Sequence, residues 1–235
     1  MEKIIPPVNV IAIITIVLIS LVFLGNRAIK ACEAANEVDW GGKWLNRLDG
    51  LNRLFCQHYH RLHYNPVALP EQGPALLASN HVSGLDPLLL IAAARRPLRF
   101  MIAREQYRRF GFNWLFKAIG CIPVERDRRP EQALRETLRV LQSGEVVAMF
   151  PHGRIHLDSD ATRPLKRGIL KLAQIAQCSI YPVRVEGIRG EGQIVRAVLM
   201  RSHAHVTGFP PLSYAEPHCL ERLATLLEGR AELGG

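Results

Sequence analysis

The apolar residues of the chain change their pattern along its length, beginning with one uncharged run over residues 8–25. A helix needs about 20 apolar residues to cross a bilayer, so this run is long enough for one span. It exceeds the apolar core of about 7–15 residues in a cleaved signal peptide, and Glu2 offsets the only preceding cation, Lys3. We therefore predict an uncleaved transmembrane anchor over residues 1–30.

Positive charges are distributed unequally around this run. One lysine precedes it, whereas five cations follow it in the next part of the chain: Arg27, Lys30, Lys43, Arg47 and Arg53. Lys and Arg near a membrane span remain preferentially on the cytoplasmic side. The expected location is therefore the cytoplasmic membrane, with the rest of the chain facing the cytoplasm.

The next segment, residues 31–65, has a helical period. Its apolar residues recur at spacings of three and four: Trp44, Leu48, Leu51, Phe55, Tyr59 and Leu62. Cations lie among the intervening positions: Lys43, Arg47, Arg53 and Arg61. Such a pattern is typical of an amphipathic helix in the headgroup region of a membrane. It is equally typical of a helix docked on a protein core, and the sequence leaves both interpretations open.

From residue 66 onward, short β-rich runs alternate with helical stretches. The predicted strands are 75–79, 98–103, 121–124, 146–150, 180–185 and 194–200, and the predicted helices are 87–94, 130–142, 166–177 and 220–229. Alternation of this kind favours the α/β class, with a mixed, largely parallel sheet covered by helices. We predict a single domain over residues 66–235, with ligands at the strand ends.

The composition narrows the choice of partners. With 48% hydrophobic and 22% charged residues the body is globular, and the formal net charge of +9 suits an anionic membrane surface or a phosphate-bearing substrate. The sequence contains no zinc-finger or RNA-binding signature, so nucleic acid is not an expected partner. The five cysteines are scattered, which predicts free thiols in a reducing compartment.

A histidine and an aspartate follow the first predicted strand of this domain. The run SNHVSGLDP places His81 and Asp86 in one short connection. A histidine that takes a proton from an alcohol needs a fixed ring and tautomer, and a neighbouring carboxylate supplies both. Because the chain has no GxSxG elbow, the simplest use of this pair is direct activation of a substrate hydroxyl. The alternative is that Asp86 only caps the following helix.

Cations at two other strand ends are candidate anion ligands. Arg126 ends the run GCIPVER, and Gly153 and Arg154 follow a later strand in the run FPHGRIHLD. A guanidinium can hold a phosphate through two hydrogen bonds, and glycine lets a ligand approach the backbone closely. Lys166 opens a predicted helix, where a cation is unfavourable for the helix dipole. It is either retained for a ligand anion or an ordinary surface residue.

The same later run permits a second kind of chemistry. His152, His156 and Asp158 are three potential metal ligands within seven residues. They keep open a metal-dependent phosphoesterase as an alternative function, although no carboxylate cluster elsewhere in the sequence completes such a site.

Four short motifs, taken in order, resemble the glycerolipid acyltransferase family typified by 1-acylglycerol-3-phosphate acyltransferase. In this chain they are Asn80-His81-x-x-x-x-Asp86, Gly120-x-Ile122-x-x-x-Arg126, Phe150-Pro151-x-Gly153-Arg154 and Tyr181-Pro182-Val183. The resemblance covers roughly residues 69–185. Together, in this order and at this separation, the motifs are far more specific than any one of them alone.

The resemblance implies a membrane-associated O-acyltransferase whose acyltransferase domain spans residues 66–235. It implies that His81 is the general base, Asp86 its orienting partner and Arg126 the ligand of the acceptor phosphate, with Pro182 lining the site. The implied acceptor is a lysophospholipid and the implied acyl donor is acyl-CoA or acyl carrier protein, without a metal or bound cofactor.

The third motif departs from the family pattern. His152 stands where the family usually has Glu, and Arg154 follows Gly153 without the usual Thr between them. Since that Glu is associated with acceptor binding, the departure leaves the acceptor headgroup open. It also leaves a third interpretation, a non-catalytic lipid-binding protein on the same fold, against which the retention of both His81 and Asp86 argues.

Overall fold

A computed structural model describes residues 7–107, 113–125, 130–157, 159–160 and 164–229. In this part of the chain, seven strands form one sheet in the order β1-β7-β6-β2-β5-β3-β4. Their bounds are β1 (His63–Tyr64), β2 (Ala75–Ser79), β3 (Leu98–Ala103), β4 (Ile122–Val124), β5 (Val146–Met149), β6 (Ile180–Glu186) and β7 (His205–Gly208). Neighbouring strands are parallel except for the β6–β7 pair, so the predicted mixed, largely parallel sheet is confirmed.

Helices cover both faces of the sheet because successive strand residues point to opposite sides. On β2, Leu77 belongs to the core beneath α3, whereas Leu76 belongs to the core beneath α7 and α9. The helices are α1 (Pro7–Ala35), α2 (Lys43–Leu54), α3 (Asp86–Ala93), α4 (Arg104–Tyr107), α5 (Asn113–Ala118), α6 (Pro130–Gln142), α7 (Gly168–Ala176), α8 (Val195–Leu199) and α9 (Cys219–Glu228), and a single π-helical turn (Phe55–Tyr59) follows α2.

One predicted strand is wrong. Residues 194–200 contain β-branched residues at a strand-like density, but the structure forms the short helix α8 over this stretch. Each edge of β6 is already paired, one with β2 and the other with β7, so the sheet has no edge there for a further strand. The strands β1 and β7 were not predicted, because runs of two and four residues are too short to show a period.

The N-terminal apolar run forms α1, which is long and apolar enough to cross a membrane by length and composition. The helix continues to Ala35, so the boundary predicted at residue 30 falls inside it. Beyond that point Glu33 forms an ion pair with Arg47 of α2, with 2.8 Å between the carboxylate and the guanidinium. The last turns of α1 therefore lie alongside α2.

One face of α2 is docked on the body, as one of its two interpretations predicted, while its place in the headgroup region stays a prediction. The docked face carries Arg53, which is fully buried rather than on the headgroup side as its place among the cations suggested. Its guanidinium donates to Asp49 at 2.7 Å and to the carbonyl of Ala92 at the end of α3 at 2.9 Å. Most of the apolar stripe faces outward instead, with Trp44 and Leu51 exposed, whereas its last residue, Leu62, is buried in the core. A buried ion pair that also caps a helix end holds α2 on the body.

Candidate active site

The connection between β2 and α3 is organised by one buried carboxylate. Asp86 is fully buried, and its Oδ2 accepts hydrogen bonds from the Val82 and Ser83 backbone N–H groups at 2.7 and 2.9 Å. Its Oδ1 accepts the Ser83 hydroxyl at 2.6 Å. A buried charge is costly unless donors surround it, and here the turn itself supplies them. Asp86 therefore fixes the turn, a role beyond the helix cap considered from the sequence.

The fourth donor to this carboxylate is the imidazole of His81. Its Nδ1 lies 2.7 Å from Asp86 Oδ2, and an ionised carboxylate can only accept, so Nδ1 carries the proton. The tautomer leaves Nε2 as a bare acceptor. With 19% of its side chain exposed, His81 is accessible on one side. The predicted pair is thus brought together in the geometry that a general base requires.

Phe150, the first residue after β5, packs on the other side of this imidazole. The two rings are stacked with centroids 4.0 Å apart and planes 15° apart. The ring holds His81 in place, and its negative face is suited to a positively charged imidazolium. The sequence marked Phe150 only as a motif position, without a role.

Two further contacts hold the turn from outside. The side-chain amide of Asn80 donates to the carbonyl of Val185 and accepts its N–H, both at 2.8 Å, which extends the β2–β6 pairing by one step. The Gly84 N–H donates to Gln193 at 3.0 Å, and a Cβ on Gly84 would overlap the backbone of Ile194. The segment before α8 thus lies against the turn, a contact that no sequence signal predicted.

The loop after β5 reaches the same turn. The N–H of His156 donates to the carbonyl of His81 at 2.7 Å. Within the loop, Gly153 has φ +76°, and a Cβ there would lie 2.7 Å from Nζ of Lys166. Arg154 is exposed beside it. The structure therefore brings three of the predicted anion ligands, Gly153, Arg154 and Lys166, to one place next to the dyad.

His152 has a different position from the other predicted ligands. It is only 2% exposed, and its ring is stacked on that of His156 with centroids 4.5 Å apart. Its Nε2 lies 3.9 Å from a carboxylate oxygen of Glu228, at the end of α9. The predicted contact of His152 with the acceptor stays a prediction, whereas Arg154 in the same loop is exposed.

Arg126 and Pro182 are the remaining predicted site residues. Arg126 lies outside the described residues, and its role stays a prediction; the strand before it, β4, runs parallel to β3 and ends at Val124. Pro182 is buried within β6 and paired in register with Ala78 of β2. Its role in lining the site stays a prediction.

The arrangement offers little support for the metal alternative. Asp158, one of its three ligands, lies outside the described residues. The rings of His152 and His156 are stacked on each other, with planes 26° apart. Within the described ranges, no group of three or more His, Cys, Asp or Glu side chains has the geometry to hold a metal ion.

Two buried cysteines, one of them in the second motif, are unsuited to nucleophilic chemistry. All five cysteines are free thiols. Burial raises the pKa of Cys121, in the second motif, to about 12, and it raises the pKa of Cys56 to about 12 as well. These thiols stay protonated at neutral pH and are poor nucleophiles.

Comparison with known proteins matches this chain to acyltransferases, both by family profile and by individual relatives. The sequence profile of the family described as Acyltransferase matches residues 60–186, more than half of the chain. The 1-acyl-sn-glycerol-3-phosphate acyltransferase of Bacillus subtilis is 24% identical over 70% of this chain and 81% of its own length. The probable 1-acyl-sn-glycerol-3-phosphate acyltransferase of Mycoplasma genitalium is 33% identical over 54% of this chain, and the match spans 49% of that protein.

The fold has a match among solved structures. The crystal structure of the 1-acyl-sn-glycerophosphate (LPA) acyltransferase PlsC from Thermotoga maritima superposes with a TM-score of 0.61 at 16% identity. The match covers 82% of each chain. At this identity the likeness concerns the fold alone.

Proposed function

This chain belongs to the acyltransferase family, and we propose that it transfers a fatty acyl group from acyl-CoA or acyl carrier protein to the free hydroxyl of a lysophospholipid of the 1-acylglycerol-3-phosphate type. The observation that carries the proposal is the His81–Asp86 pair at the carboxyl end of β2. Nδ1 of His81 lies 2.7 Å from Oδ2 of Asp86, and Nε2 is left as an acceptor.

The residues of the turn supply the steps of the transfer. Nε2 of His81 takes the proton of the acceptor hydroxyl while the hydroxyl oxygen bonds to the thioester carbonyl carbon. The carbon–sulfur bond then breaks, and the imidazolium returns the proton to the leaving thiolate, which gives an ester and a free thiol. Asp86 and the face of Phe150 both stabilise the imidazolium between these steps.

The cations near the dyad suit the phosphate of the acceptor. Arg154 is exposed, and Lys166 places its ammonium group over the backbone of Gly153. A guanidinium and an ammonium group next to a glycine backbone are suited to a phosphate that approaches closely. Arg126 is expected to join them on the resemblance of the second motif. The expected part of His152 is to set the shape of this loop.

Membrane attachment belongs to the same proposal. The apolar residues of α1 are exposed along its length, which suits burial in a bilayer. The outward stripe of α2, with Trp44 and Leu51, suits the headgroup region. We expect the body to face the cytoplasm, which follows from the Lys and Arg residues that come after α1.

The proposal is tested with membranes that carry the full chain. They are incubated with labelled acyl-CoA or labelled acyl carrier protein, and with lysolipids that have different headgroups. We expect a labelled diacyl product whose formation depends on the acceptor and is insensitive to a chelator. Phosphate release that a chelator abolishes would instead support the metal-dependent phosphoesterase. Lysolipid binding without any product would support the non-catalytic interpretation.

A further inference from the structure

The short helix α8 presents apolar side chains to solvent. Val195 is 61% exposed and Leu199 is 69% exposed, and Ile194, directly before the helix, is 47% exposed. Large apolar side chains in contiguous exposed positions mark a surface that contacts something apolar. The family resemblance and the His81–Asp86 chemistry leave this surface without a role.

Contacts connect α8 to the apolar stripe of α2. The Tyr59 hydroxyl donates to the carbonyl of Leu199 at 2.6 Å, and the His60 ring contacts the carbonyl of Val198 at 3.2 Å. Tyr59 is the continuation of the outward stripe that begins at Trp44 on α2. At that far end the ring of Trp44 lies 5.4 Å from the ring of Trp114, itself exposed on α5. The exposed apolar residues therefore form one path from Trp114 to α8.

The charges around α8 suit an anionic surface. Arg189, Arg196 and Arg201 are exposed before, within and after the helix, and Glu191 is the exposed acid among them. Apolar residues flanked by arginines are typical of segments that enter the headgroup region of anionic lipids. A protein partner with a purely apolar face would leave these guanidinium groups without counterions.

The opposite side of the sheet offers a contrast. Ile175 on α7 is also 47% exposed, but its helix packs through Ile169 and Leu172 into the core beneath α9. Its exposed neighbours in the chain are Lys171 and Gln174, so the residue is isolated. Single exposed apolar residues of this kind are ordinary.

We propose that α8 is a lipid-contacting segment that, together with the stripe of α2, seats the catalytic turn at the headgroup level of an anionic membrane. The residue before α8 touches the turn directly, since the backbone of Ile194 packs on Gly84. Membrane contact by α8 thereby places His81 near the depth at which a lysolipid presents its hydroxyl. The inference rests on the proposed membrane attachment of the chain.

The direct test uses the full chain in nanodiscs that contain anionic lipid. Spin labels are attached after Leu199→Cys or, as the matched control, Ile175→Cys, and the unsubstituted chain measures labelling of the native cysteines. We expect the label at position 199 to collide with oxygen more than with a water-soluble nickel chelate, and the label at position 175 to show the reverse. Equal water exposure at the two positions overturns the inference, as does protection at position 199 that appears only when the chain associates with another protein.

A kinetic test separates this inference from the proposed function. Leu199→Asp should lower the ratio of kcat/KM for a bilayer lysolipid to that for a monomeric short-chain lysolipid by about five- to tenfold, whereas Ile175→Asp should not change it. An unchanged ratio for Leu199→Asp, in an enzyme that still transfers acyl groups, overturns the role of α8 alone. Absence of transfer by the unsubstituted chain would count against the proposed function, and the spin-label result would still decide the position of α8.

Discussion

The turn after β2 and the loop after β5 both leave parallel strands at one edge of the sheet, and each carries a histidine. His81 is partly exposed, with one ring nitrogen fixed by Asp86 and the other left as an acceptor. His152 is almost completely buried and stacked on a second histidine. The same side chain thus has two environments, one suited to proton transfer and the other to packing.

The environments of His81 and His152 differ because the turn after β2 and the loop after β5 place different groups around each ring. In the first turn, two N–H groups and a hydroxyl stabilise a carboxylate that orients an imidazole. In the second loop, Phe150 stacks on the reactive ring, and the backbone N–H of His156 donates to the carbonyl of His81. We therefore expect changes in the turn, and of the Phe150 ring that stacks on His81, to affect the rate, and other changes in the loop to affect mainly which acceptor is used.

Asp86→Asn should produce the largest loss among changes that leave His81 in place. The amide can donate to Nδ1 and so favours the wrong tautomer, and kcat should fall by about 100- to 10,000-fold. The fall in kcat is measured by acyl transfer from a labelled thioester, and circular dichroism confirms that the variant is folded. A folded Asp86→Asn enzyme within threefold of the unsubstituted rate would remove the orienting role of this carboxylate.

Arg154→Ala should raise the KM for the acceptor, because it removes a guanidinium that pairs with the acceptor phosphate. The rise should be only about three- to tenfold, because water partly screens an exposed ion pair. The KM for the acyl donor should change little. Arg135→Ala, an exposed arginine on α6, is the matched control. If the donor KM rises and the acceptor KM does not, Arg154 binds the thioester side instead.

Phe150→Leu should lower kcat by about threefold or somewhat more. It removes the ring face that stabilises the imidazolium, an interaction worth about 0.5–1 kcal/mol at a partly exposed site. Phe150→Tyr keeps a stacked ring and should retain most of the rate, which distinguishes stacking from simple filling of space. Equal losses in the two variants would contradict a role for the ring face.

His152→Gln should have the smallest effect on kcat, within about threefold, because the residue is buried and packs against the ring of His156. We still expect the ratio of kcat/KM between lysolipid acceptors to change, by up to about tenfold. Glutamine is preferred to glutamate here, since a glutamate would lie beside Glu228 and repel it. An unchanged acceptor ranking would show that His152 does not shape the acceptor site.

The sequence could predict the parts of the fold that local pattern determines. The strands β2 and β3 and the helix α6 were predicted with their observed bounds, because their apolar periods and flanking residues are clear. The His81–Asp86 pair was also predictable, since both residues lie in one short connection. The chemistry of the turn is therefore local in the chain.

The remaining features depend on contacts between distant segments. The burial of Arg53 is explained by the carbonyl groups at the end of α3, some forty residues away along the chain. The helical state of α8 is explained by a sheet with no free edge beside β6 and by the turn at Gly84. No periodicity within either segment carries that information, so sequence reasoning left the docked and the headgroup interpretations of the Arg53 segment open and predicted a strand at α8.

The most direct measurement compares His81→Ala and His152→Ala in one assay, with a labelled acyl thioester, a lysolipid acceptor and membranes that carry equal amounts of folded enzyme. The account predicts that His81→Ala loses about 100- to 10,000-fold of the transfer rate, whereas His152→Ala retains the rate within about tenfold. Transfer by His81→Ala within threefold of the unsubstituted chain, or a larger loss in His152→Ala than in His81→Ala, would contradict it.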